Sequence, residues 1–140
     1  MVYLDINGFG FGVRKKLCKD VIEYFCDKYL PRHKLDITVK HKNLRRDNVY
    51  GWCNIEGDAY RPREFMIEIH NGLDKETYIK TLFHECTHVL QHVRGDLKER
   101  HNKQLWKGVD YSKVSYEDQP WEQEAEENEE KLYYEYLTWG

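Results

Sequence analysis

Between Asp74 and Gly95, the apolar residues Ile79, Leu82, Phe83, Cys86, Val89, Leu90 and Val93 recur at steps of three, four and seven. That spacing lines one face of a helix. Asp74 suits its N-cap, and the pattern ends near Gly95. A helix of this kind must bury its stripe against apolar partners. Leu17, Val21, Ile22, Phe25 and Tyr29 recur at helical spacing and predict an amphipathic helix over 13–30, ended by Leu30-Pro31 because proline disfavours helix in the residue before it. Leu35, Ile37 and Val39 alternate with polar residues, Val49 to Ile55 is rich in β-formers, and Phe65, Ile67 and Ile69 alternate again. Asp47-Asn48 and Gly57-Asp58 supply the turns between them.

The expectation is an α+β chain with a small three- to four-stranded, mainly antiparallel sheet. Residues 95–118 read as a polar, irregular loop of functional length, and Asp118-Gln119-Pro120 opens a last helix over about 120–137. The regular spacing of the acids from Glu122 to Glu130 reads as a helix face. At 140 residues and 40% apolar content, one folded domain over 1–140 is expected.

Cys18, Cys26, Cys53 and Cys86 are scattered with no C-x-x-C pair, which argues against a zinc knuckle or a disulfide framework and for four reduced thiols. No signal-like start and no run of roughly 18 apolar residues is present, so a cytoplasmic location with no membrane partner is expected. The net charge of -3 is unevenly spread. Residues 117–140 hold nine acids against Lys131 alone, while Arg14 to Lys19 and Lys34 to Arg46 are basic. Those basic segments lack interleaved aromatics and read as solvated surface.

The chemistry sits on the helix described first. His84-Glu85-Cys86-Thr87-His88 is H-E-x-x-H, and residues four apart on a helix share a face. His84 and His88 can therefore offer two imidazole nitrogens to one ion at about 2.0–2.1 Å, a donor set that suits zinc, one per chain. Glu85, turned about 100° from His84, stands where it can take a proton from a metal-activated water. Cys86 belongs to the apolar stripe, and His92 is too far along the helix to share the ion.

A third ligand is needed, and two residues compete for the place. Glu122 opens the last helix, with Glu126 one turn on to accept a hydrogen bond from a ligating histidine. His101 follows His88 by thirteen residues. Glu122 is favoured because it has helical support and a partner. Tyr111, Tyr116 and His101 are candidates to stabilise an oxyanion. Tyr60, Trp106, Trp121 and Trp139 read as core or cleft-wall aromatics.

With H-E-x-x-H on one helix and Glu122-Gln123-Glu124-Ala125-Glu126 on a later one, the chain resembles the zincin metallopeptidases, specifically a minimal gluzincin. The resemblance implies zinc on His84, His88 and Glu122, Glu85 as general base, Glu126 as orienting carboxylate, and Phe65 to Ile69 as the edge strand beside the cleft. It implies a zinc metallopeptidase acting on a protein or peptide substrate. The chain also looks somewhat like the SprT-like proteases around His101-Asn102-Lys103-Gln104-Leu105. That version implies His101 as third ligand and DNA-associated protein substrates, the one route by which nucleic acid enters. A zincin-like module that holds metal and cleaves nothing is the alternative outside enzymology.

Overall fold

The structure is a computed structural model and describes residues 2–8 and 12–138. Val2, Leu4 and Ile6 alternate with polar residues and form β1 (Val2–Gly8), and α1 (Gly12–Tyr29) carries the chain across to β2 (Leu35–Lys42). A short helical turn at Arg45–Asp47 and left-handed Asn48 lead into β3 (Gly51–Glu56). A turn through Gly57, at φ 73°, leads on toward β4 (Glu64–His70). The N-cap of α2 (Lys75–Arg94) is Asp74, whose carboxylate accepts from Thr77 N–H, and Gly95 closes the helix at φ 80°. After β5 (Leu97–Arg100), β6 (Lys103–Trp106) and β7 (Val109–Asp110) comes α3 (Pro120–Thr138).

The main sheet has four strands in the order β1-β2-β4-β3. Two of its three pairings are parallel, β1 with β2 and β2 with β4, and only β3 with β4 is antiparallel. The expectation of a mainly antiparallel sheet is thus corrected to a mixed one. A parallel pair needs a crossover, and α1 provides it between β1 and β2, while the β3 segment intervenes between β2 and β4. β4 is also not the edge. It lies between β2 and β3, and β3 is the edge strand on that side.

Register puts Ile37 opposite Phe65, Val39 opposite Ile67 and His41 opposite Ile69, all on one face. That face packs against Val21, Ile22 and Phe25 of α1 and Ile79, Leu82, Phe83, Cys86 and Val89 of α2, with Leu132 and Tyr133 of α3 closing the same core. The four cysteines are free thiols.

The segment expected to be an irregular loop forms a second sheet, β5-β6-β7. His101 and Asn102 both have positive φ, 51° and 65°, as do Lys107 and Gly108. Those are two-residue hairpin turns, whose twist matches that of the strands they join. A small apolar cluster of Leu97, Trp106 and Trp121, flanked by Tyr111, fastens this sheet to the start of α3. Among the described residues, no helix is long and apolar enough to cross a membrane.

Candidate metal centre

α2 and α3 pack side by side, and their facing residues build the site. One ligand atom each from His84, His88 and Glu122 lie within 4.8 Å of one another, a grouping that can hold a metal ion. Nε2 of His84 is 2.9 Å and Nε2 of His88 3.1 Å from the same Glu122 Oε1. The two rings stand nearly perpendicular, 4.9 Å apart.

The other nitrogen of each ring is committed elsewhere. His84 donates through Nδ1 to Glu129 Oε1 at 2.9 Å. His88 donates through Nδ1 to Gln91 Oε1 at 2.8 Å. The Gln91 amide is itself oriented, because its Nε2 donates to Trp121 C=O at 2.9 Å and to Glu124 Oε1 at 3.0 Å. With both Nδ1–H groups spent, neutral rings turn Nε2 lone pairs toward a carboxylate oxygen. Two lone pairs and an anion repel unless a proton on each ring or a cation lies among them. The donor set therefore fits a metal ion.

The titration behaviour has the same cause. Burial would lower the pKa of His84, but hydrogen bonds to Glu122 and Glu129 outweigh it and raise it to about 10. In His88 burial is likewise outweighed, by Glu122 and the nearby Glu85, and its pKa is raised. Burial alone would raise the pKa of Glu122, yet the two imidazoles hold it far below the usual carboxylate range.

Glu85 is only 4% exposed, and burial, the largest influence on it, raises its pKa. It lines a groove of about 500 Å³ together with Thr81, His84, Tyr116, Glu126 and Gly51 at the start of β3. A Cβ on Gly51 would fall 2.8 Å from Glu68 C=O and 3.1 Å from Thr81 Cγ2, so a glycine is what lets β3 run this close to α2. Tyr116 donates its hydroxyl to Glu122 Oε1 at 3.1 Å, and burial raises its pKa.

The remaining sequence expectations separate clearly. Glu126 is exposed on the groove wall, and the carboxylate that receives the His84 proton is Glu129. Seven residues beyond Glu122, Glu129 is turned only about 20° from it around the helix, against about 40° for Glu126. That i, i+7 relation is the signal that would have found it. His101 sits exposed on the β5–β6 turn and does not join the cluster. His92 is buried, donates to Leu97 C=O at 3.2 Å and has its pKa lowered to about 4 by burial and by His88. Tyr111 packs on Trp121. Trp106 and Trp121 are buried, Tyr60 is 70% exposed, and Trp139 lies outside the described residues. Gln91 has no motif to mark it in the sequence; its place three residues after His88, on the same helix face, is the available sign.

Comparison with models of known protein families gave no match, and neither did comparison with curated proteins or with solved structures.

Proposed function

We propose that the chain is a metal-dependent hydrolase, and more specifically a zinc peptidase of the zincin kind. The observation that carries this reading is the convergence of His84, His88 and Glu122 on one point, beside the buried Glu85 carboxylate on a groove wall. Zinc, when bound by these three residues, would supply Lewis acidity and lower the pKa of water toward about 7. Glu129 and Gln91 hold the two imidazoles in the tautomer that leaves Nε2 free. Glu85, whose pKa is raised by burial, is the general base and returns the proton to the leaving amine. Tyr116, with its hydroxyl at the groove, is the donor to the developing oxyanion once its O–H turns away from Glu122. The outer edge of β3 offers backbone groups on which an extended peptide can pair.

The test is native mass spectrometry of zinc per chain on the wild type, Glu122→Ala and His101→Ala, followed by a peptide-library digest. One zinc per chain, lost in Glu122→Ala and kept in His101→Ala, with cleavage by the loaded wild type, is the expected result. Zinc bound with no cleavage of any peptide would favour the module that holds metal without catalysis, and loss of zinc only in His101→Ala would favour the SprT-like reading.

A further inference from the structure

A second groove, of about 220 Å³, opens between residues 59–63, the end of α2 and β5. Arg61, Arg63, Lys98 and Arg100 line it against a single carboxylate, Glu99. Among the described residues, none of these four cations forms an ion pair. Two of them are held in place by other means. The Arg100 guanidinium lies 4.0 Å over the Tyr60 ring and donates to Ala59 C=O at 3.4 Å. Arg63 donates to Pro62 C=O at 2.7 Å. Guanidinium groups so oriented, with donors to spare, match a carboxylate well.

The position of this groove gives it meaning. Ile55 lines it, and Gly51, four residues earlier on β3, lines the groove beside the metal centre. That separation is about 13 Å along a strand. On α2 the same span runs from Glu85 to His92, seven residues and about 10 Å of helix. Both grooves thus lie under the same outer edge strand, and an extended peptide covers the distance between them with three or four residues.

We propose that the basic groove is a specificity subsite that takes an Asp or Glu side chain three or four residues from the bond cleaved, so that the substrates are polypeptides acidic at that position. The proposal rests on the peptidase reading. A single carboxylate is favoured over a nucleic-acid backbone because the adjoining groove is lined by Glu126 and Glu129, which repel a polyanion lying through both grooves but leave one distant carboxylate unaffected.

The test scans one Asp through an end-blocked, otherwise neutral peptide. Binding is read by fluorescence anisotropy on the zinc-loaded Glu85→Gln chain, and cleavage by mass spectrometry on the zinc-loaded wild type. The expected result is binding about tenfold tighter with Asp at one position, mapping three or four residues from the cleaved bond and weakening as salt rises. Both the double variant Arg63→Glu/Arg100→Glu and the milder Arg63→Gln/Arg100→Gln should remove the preference, with folding checked by circular dichroism. Binding without positional preference, preference surviving both double variants, or a single-stranded oligonucleotide displacing the acidic peptide would each overturn the subsite. Cleavage with no acidic preference overturns it while leaving the peptidase reading intact. Asp-dependent binding with no cleavage of any peptide would overturn the peptidase reading and with it the groove's role as a specificity subsite, leaving only a groove that binds an acidic side chain.

Discussion

Nδ1 of His84 lies 2.9 Å from Glu129 Oε1, across the seam between α2 and α3. A carboxylate in that position fixes the imidazole as the tautomer whose Nε2 faces Glu122, and it strengthens that nitrogen as a donor to a metal. Removing such a partner costs roughly 10–100-fold in metal affinity. Glu129→Ala is therefore expected to weaken zinc binding by that factor, while Glu126→Ala, which leaves the His84 hydrogen bond in place, changes it little. Competition against a chromophoric chelator measures both, and equal affinities for Glu129→Ala and wild type would remove Glu129 from the site.

Protons and metal compete for the same atoms, which sets a pH dependence. In the metal-free chain the His84 pKa is raised from 6.5 to about 10. Its contribution to folding is then fully present below about pH 6.5 and is lost as pH rises toward about 10. Glu122 has the opposite sign: its depressed pKa contributes stability above the ordinary carboxylate range, lost as pH falls below it. Zinc affinity moves against the His84 trend and rises with pH as the ring gives up its proton. Urea midpoints of the metal-free chain across this window should fall on the alkaline side. Calorimetry of zinc binding in buffers of different ionisation enthalpy should register proton release.

The parts of this architecture written in local pattern were legible, and the parts fixed by tertiary pairing were not. The α2 stripe, its Asp74 cap and its Gly95 end are properties of one segment, and the structure has them where the sequence puts them. Strand direction is different. Leu35, Ile37 and Val39 alternate identically whether β2 pairs parallel or antiparallel, and the decision lies in the crossover through α1. β5, β6 and β7 are four, four and two residues long, too short for a periodicity to register, and their turns use His101-Asn102 and Lys107-Gly108 instead of the stronger Asn-Gly signal. Glu122 was legible from its helix position. Glu126, one turn on, is the nearer match by spacing, but two full turns bring Glu129 closer to alignment with Glu122.

Glu85 occupies a position no structural role explains well. Its carboxylate is buried beside His84 and His88, and burying a carboxylate without a dedicated partner is costly unless function requires it. Glu85→Gln keeps shape and packing while removing the carboxylate proposed as the base. Turnover of a peptide substrate is expected to drop by roughly 10²–10⁴-fold, with zinc content and urea midpoint held or slightly raised. Undiminished turnover in this variant would exclude Glu85 as the base and reopen the choice among the groove residues.

Gln91 joins three things at once: the His88 ring, the Trp121 carbonyl in the first turn of α3, and Glu124. It is 1% exposed, and His88 and Trp121 are buried with it, so the His88 Nδ1–H has no ready access to water if Gln91 is lost. Gln91→Leu fills similar space but strands the His88 Nδ1–H, at a cost of about 1–3 kcal/mol. Zinc affinity should fall with it, because His88 is then free to rotate or change tautomer. Gln91→Glu separates the two effects. Its carboxylate still accepts from His88, so zinc binding is better preserved than in Gln91→Leu. It cannot donate to Trp121 C=O, and it sets a second negative charge against Glu124, so the urea midpoint still drops. Matched loss of both properties in the two variants would show that Gln91 serves the helix seam alone, and unchanged zinc affinity in Gln91→Leu would show that His88 is oriented by its packing.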